Sequence, residues 1–170
     1  MIGRSFIGRG RASGGLLVLL GAWGALVPFV GPYFGYAYTP DKAWAYTSGR
    51  LWLSVLPGAA AFLGGLLVVA SARSASLGAF LAALGGAWLV VGAGVLALAK
   101  PDISPGRPVT ASGAPFSPAT MRFLEGLGFF FGLGVLIVFF AALALGRARV
   151  ARLTAAEFEQ TQPVGEFTPY

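Results

Sequence analysis

The sequence predicts an all-α polytopic membrane protein, with four transmembrane helices arranged as two tandem hairpins in one bundle. Three observations predict it. Apolar residues make up 56% of the 170 residues and charged residues only 11%, against about 25% charged in a soluble domain. Four runs carry no charge at all: Ala12 to Pro40, Leu51 to Ala72, Ser74 to Ala99 and Gly126 to Gly146. Each is long enough to cross about 30 Å of hydrocarbon at about 1.5 Å per residue. Finally, short patterns in the first pair of runs recur in the second. A soluble bundle would need charged faces at helical spacing, and these runs offer none.

The elements follow in order. Residues 1–13 form a basic arm with Arg4, Arg9 and Arg11. A first helix is expected near Gly14–Tyr33. The basic start and "GGLLVLLGAWGA" have the look of a signal peptide, but the apolar run continues past any cleavage site and shows no clean A-x-A. The segment is therefore expected to stay as a span. Further helices are expected near Leu51–Ser71, Leu77–Ala99 and Phe123–Leu145, giving a transmembrane domain over 14–145. Pro28 and Pro57 fall inside the first two spans, where each removes a helical hydrogen bond and kinks the helix. The tail, 146–170, begins basic and ends acidic. Within it "TAAEFEQ" reads as a short helical turn capped by Thr154.

Loop charge sets the direction. Arg4, Arg9, Arg11, Arg73, Arg147, Arg149 and Arg152 fall on one side, and Lys42, Arg50, Lys100, Arg107 and Arg122 on the other. The positive-inside rule puts both termini and the turn at Arg73 in the cytoplasm. Few Lys and many Ala, Gly and Arg suggest a bacterial gene, so the expected location is the bacterial cytoplasmic membrane. Tyr33, Tyr36, Tyr38, Trp44 and Trp52 crowd the first outer loop and its edges, where aromatic rings favour the headgroup level.

Composition also excludes chemistry. Without Cys or His there is no disulfide, no thiolate or imidazole metal ligand and no His base. No metal site, cofactor or catalytic residue is expected. The net charge is +6, but the basic residues flank apolar runs rather than forming a patch, so nucleic acid is not an expected partner. Membrane lipid is, together with a protein partner or further copies of the chain.

"LLGAW" at Leu19–Trp23 recurs as "LGGAW" at Leu84–Trp88. Pro40-Asp41 follows the first copy and Pro101-Asp102 the second, and "GRLWL" from Gly49 answers to "MRFLE" from Met121. Each unit is an out-and-back hairpin, so the two units run in the same sense, as in parallel repeats about an axis along the membrane normal. In "GAWGALVPFVG", Gly21, Trp23 and Pro28 keep the spacing of a Gly, a Trp and a Pro-centred motif. This pattern resembles the SPW-repeat family of small bacterial membrane proteins. Val27 and Phe29 stand where that family has Ser and a second Trp, and in the second unit only Gly86 and Trp88 match. The resemblance implies paired membrane helices and brings no activity or catalytic residue.

In lipid, small residues let helices approach closely. The third span has rows Ala79, Ala83, Ala87 and Gly78, Ala82, Gly86, the second has Ala60/Gly64 and Ala61/Gly65, and the fourth has Gly128 and Gly132. Gly64, Ala83, Gly86, Gly128 and Gly132 are the candidate packing positions.

One acid stands at the start of the fourth span. Gly128 and Gly132 share the helical face of Glu125, so it is expected to face other helices. The 21 uncharged residues from Gly126 to Gly146 fill roughly 31 Å of hydrocarbon, which puts Glu125 at the outer boundary. The expected arrangement is an ion pair with Arg50 first and Arg122 next, pinning the second and fourth spans. The expected function is that of a non-catalytic accessory subunit or self-associating scaffold. The alternative is a small transporter or channel component with Glu125 near the outer mouth. An outer-surface enzyme would draw on Asp41, Asp102 and Glu125, with Tyr46 and Arg50, but an Asp in a Pro-rich loop usually makes a turn. Loop 100–122 reads equally as a binding surface or a tether.

Overall fold

A computed structural model describes residues 3–39, 42–103, 106–110 and 117–161. It is a helical bundle whose main elements are α1 (Gly3–Val30), α2 (Ser48–Ala70), α3 (Ala75–Ala99), α4 (Pro118–Phe129) and α5 (Phe131–Thr161). Four helices are long and apolar enough to cross a membrane: Ala12–Tyr33, Ser48–Ala70, Ala75–Ala99 and Pro118–Val150. A 3₁₀ turn, Gly31–Phe34, follows α1. A two-stranded antiparallel ribbon joins the two long connections: β1 (Tyr36–Tyr38) pairs with β2 (Pro108–Thr110), with Ala37 opposite Val109.

Each span packs against the next in sequence, and α5 closes the ring against α1. The neighbours run antiparallel. Near one end of the bundle Gly14 approaches Val68, and towards the other Gly58 approaches Ala25. Backbones meet closely at small residues, as helices in lipid require. A Cβ on Gly21 would lie 2.7 Å from the Phe62 Cα, and one on Gly86 would lie 2.9 Å from the Gly134 carbonyl oxygen. Leu17, Leu53, Ala61, Ala82, Leu89 and Ile137 fill the centre.

The buried positions keep a common register. Between Ser13 and Val27 the buried residues of α1 are Ser13, Gly14, Leu17, Gly21, Gly24 and Val27. Stepping on by the interval from Trp23 to Trp88 gives Gly78, Ala79, Ala82, Gly86, Leu89 and Gly92 of α3, and all are buried. The interval from Arg50 to Arg122 carries buried Leu53, Pro57, Gly58, Ala61 and Gly65 onto buried Glu125, Phe129, Phe130, Leu133 and Ile137, whereas buried Arg50 and Gly64 fall on exposed Arg122 and Leu136.

Several boundaries differ from the sequence reading. α1 begins at Gly3, well before the apolar run, because helical hydrogen bonding does not require apolar side chains. α5 likewise runs to Thr161. Thr154 is not a cap there: its hydroxyl donates to the Val150 carbonyl one turn back, at 3.0 Å. The fourth span is two helices rather than one. It breaks at Phe130, whose backbone (φ −131°, ψ −77°) leaves the helical region. Phe129 and Phe130 are both buried while Phe131 is exposed, and the break turns two consecutive rings inward. Gly132 serves this break, since a Cβ there would lie 2.8 Å from the Leu127 carbonyl oxygen of its own span.

Candidate functional site at the long-loop end

Two caps fix the helices that carry the site. The Thr47 hydroxyl accepts from the Arg50 N–H at 3.2 Å and starts α2. The Ser117 hydroxyl accepts from the Thr120 N–H at 3.2 Å and starts α4, with Pro118 in the first turn where its missing N–H costs nothing.

α2 then widens. Leu51–Val55 is a π-helical turn in which the Leu56 N–H donates to Leu51 O. Pro57 follows and has no N–H, so the Trp52 carbonyl finds no ordinary backbone donor one turn on. The Trp88 indole N–H supplies one, at 2.9 Å. Trp23 does the same across the bundle, donating to the Gly128 carbonyl at 3.3 Å. Gly128 lies in the last turn of α4, where helical carbonyls lose their partners. Pro28 lies within α1.

Among the described residues four polar or charged side chains are buried: Ser13, Arg50, Ser54 and Glu125. The last three gather at the end of the bundle that carries the long loops. Arg50, 6% exposed, donates from Nη1 to the carbonyls of Lys42 and Ala45, both at 3.0 Å, and from Nη2 to that of Tyr38 at 3.2 Å. One guanidinium thus gathers three carbonyls of the first long connection. Glu125 is fully buried, while Arg122 is exposed on the preceding turn. The Tyr38 ring packs edge-on against Phe129 and Phe130 at 5.0 and 5.4 Å. Its hydroxyl would lie 3.9 Å from a Cβ on Gly126. Burial, and then the charge of Glu125, hold the Tyr38 phenol above its usual range. The cavity among Pro28, Tyr38, Gly49, Arg50, Ser54, Phe129 and Phe130 is about 10 Å³, at the lower limit for one water. This cluster can hold a charge and order a loop.

The loop's aromatic residues build a second feature. Trp44 adopts a positive φ of 59°, a left-handed conformation that costs a non-glycine residue of order 1 kcal/mol. Its ring stacks on Phe29 at 5.6 Å, and Tyr46 tilts onto the same ring at 5.3 Å. Below them a groove of about 500 Å³ runs between α1 and α2. A second, of about 510 Å³, lies along α1 and includes Trp23.

No protein-family model, curated protein or solved structure matches the chain. The site therefore stands on its own geometry.

The residues expected to matter fall into three places. Arg50, Tyr38 and Pro28 line one small cavity at the loop end, and Glu125 lies near enough to Tyr38 for its charge to act on the phenol. Gly64 and Gly86 lie at helix contacts, facing α3 and α5 respectively. Ala83 is only partly buried, and Gly128 serves as a carbonyl partner for Trp23. Tyr33, Trp44 and Trp52 are exposed. The Tyr36 side chain and Asp41 lie outside the described residues; Asp102 is exposed. Among the described residues no group of acids could hold a metal ion. The sequence reading missed the indole-to-carbonyl bonds. Their signal was present in the paired "LLGAW" and "LGGAW", each of which places a Trp a fixed step from the same packing glycine.

Proposed function

We propose that this chain is a multi-pass protein of the bacterial cytoplasmic membrane with both termini inside. In this reading it acts as a non-catalytic accessory subunit or self-associating scaffold. The observation that carries it is the closed interior of the site: about 10 Å³ around Arg50 and Ser54, against grooves of about 500 Å³ on the flank. The protein offers surface to its surroundings and little space within. The long-loop end is then the outer end, and the ribbon of β1 and β2 covers it.

The same reading takes the chain as a duplicated hairpin, related by an approximate two-fold axis along the membrane normal. The shared buried register, the equivalent packing of Gly21 and Gly86, and the two indole bonds support it. Glu125 breaks this symmetry, because its counterpart is Leu53. We take the acid to pair with Arg50, and secondarily with Arg122, pinning α2 to α4.

Purification from native membranes in a mild detergent tests the function. A stable complex, with a second protein or with further copies, is the expected result. A lone monomer at all concentrations would refute it. The second reading, a transporter component, rests on the fully buried carboxylate of Glu125. Flux in vesicles that disappears in Glu125→Gln would establish it.

A further inference from the structure

α4 packs against β2 and the start of α5, and barely against α1, α2 or α3. Of its 12 residues only Glu125 and Phe129 are buried, one turn apart on a single face. Phe123, Leu124 and Leu127 are exposed. By contrast α5 buries Leu133, Ile137, Ala141 and Ala144 in the core and packs along both α3 and α1. The two helices part at Phe130. What lies beneath α4 is held from the other side. Arg50 is bonded to three carbonyls of the first long connection, and Ser54 sits in the π-helical turn of α2. Both line the small cavity that Phe129 and Phe130 close.

We propose that α4 is a hinged lid: it swings about Phe130 as one unit, over a base of Arg50 and Ser54 that stays in place. Local opening costs least where an element buries few side chains, and α4 has one ring and one carboxylate to free. The break supplies the pivot, because a few residues at the end of an element can absorb the change in φ and ψ. Gly132, beside the pivot, sets the closed angle: a Cβ there would lie 2.8 Å from the Leu127 carbonyl oxygen. Two contacts latch the closed position. The half-exposed Trp23 donates to the Gly128 carbonyl at 3.3 Å, longer than a usual N–H···O bond, and the Tyr38 ring packs edge-on against Phe129. Opening also parts Glu125 from Arg50 in the pairing proposed above, a cost that keeps the open form a minor state. The cavity of about 10 Å³ is then a property of the closed form.

The chain has no Cys, so one introduced thiol reports opening. Ser54→Cys changes a single atom under the lid. Ser13→Cys does the same at the opposite end of the bundle, where Ser13 is also buried. The purified full chain in one detergent is treated with methyl methanethiosulfonate, and the rate of modification is read by intact mass. Where reclosing is fast, that rate follows the open population. Trp23→Phe removes a latch and should speed modification of Ser54→Cys by roughly three- to tenfold, leaving Ser13→Cys unchanged. Gly132→Ala, which crowds the closed bend, should act in the same direction. Hydrogen exchange on the cysteine-free protein gives a second reading. Amides from Phe123 to Phe129 should exchange together, roughly tenfold or more faster than those from Leu133 to Ala141. Rates at Ser54→Cys that neither variant moves, or that rise equally at Ser13→Cys, would overturn the lid, as would α4 amides as slow as those of α5.

Discussion

The indole N–H of Trp88 donates to the carbonyl of Trp52 at 2.9 Å, and that carbonyl is one that Pro57 leaves without a backbone donor. A proline-induced defect in one helix is thus satisfied by a side chain of the next. Trp23 and Gly128 stand in the same relation across the other interface, beside the break at Phe130. In hydrocarbon a carbonyl without a partner is expensive, so each defect carries its own remedy. Trp88→Phe should therefore destabilise by about 1–2 kcal/mol, the cost of leaving that carbonyl without a donor on an apolar face. In a Pro57→Ala background the cost should fall to about half or less, because the restored N–H removes the need for the indole. Thermal melts of the four proteins in one detergent measure this coupling. Additive losses would separate the bond from the proline.

Gly21 and Gly86 predict a matched pair of effects. Each faces backbone of the following span at a distance too short for a side chain. Gly21→Leu and Gly86→Leu should each force two helices apart and cost about 1–3 kcal/mol or more. Leu98→Leu-sized changes on the exposed face, such as Leu98→Ile, should be silent. If the chain is a duplicated hairpin, the two glycine variants should lower Tm by similar amounts. A large loss at one and none at the other would argue against equivalent interfaces.

Much of this was legible in the residues. Runs free of charge located the spans closely: the third was expected at Leu77–Ala99 and is Ala75–Ala99. Hydropathy marks where a chain can meet lipid, whereas a helix ends where its hydrogen bonding ends. That difference explains why α1 and α5 outrun their apolar segments. The break at Phe130 has no proline to announce it; it follows from the demand that two adjacent rings be buried. The ribbon was invisible for another reason. Tyr36 pairs with Thr110, and no local pattern reports a contact so distant in sequence. Burial of Glu125 could be argued from Gly128 and Gly132. That Arg50 would gather the carbonyls of Tyr38, Lys42 and Ala45 could not, because backbone acceptors have no letter in the sequence.

Glu125 and Arg50 can be tested as a proposed pair. Removing one partner of a buried pair strands the other and typically costs about 3–5 kcal/mol, whereas replacing both with apolar groups of similar size is often neutral. Under the proposed repeat the counterpart of Glu125 is Leu53, which is also buried. Glu125→Leu alone should therefore lower Tm markedly, and Glu125→Leu with Arg50→Met should recover part of the loss. The recovery will be incomplete, since Arg50 also holds three loop carbonyls. A Glu125→Leu protein as stable as the wild type would end the pairing proposal.

Tyr38 gives the alkaline limit of the loop end. Burial and the nearby charge of Glu125 raise its pKa from the ordinary value of 10.0. The folded protein therefore keeps the phenol proton at pH values where the unfolded chain has released it. With fewer protons bound in the unfolded state, stability falls as pH rises. The contribution is fully present below about pH 10 and is lost as pH climbs through the folded value. Tyr38→Phe removes this titration while keeping a ring against Phe129 and Phe130. Its Tm should decline less between pH 9 and pH 11 than that of the wild type, with the two curves closest at the acidic end. Arginine and lysine titrations are common to both proteins and cancel in the difference. Parallel curves across that interval would mean that the Tyr38 hydroxyl meets neither a dry environment nor the charge of Glu125.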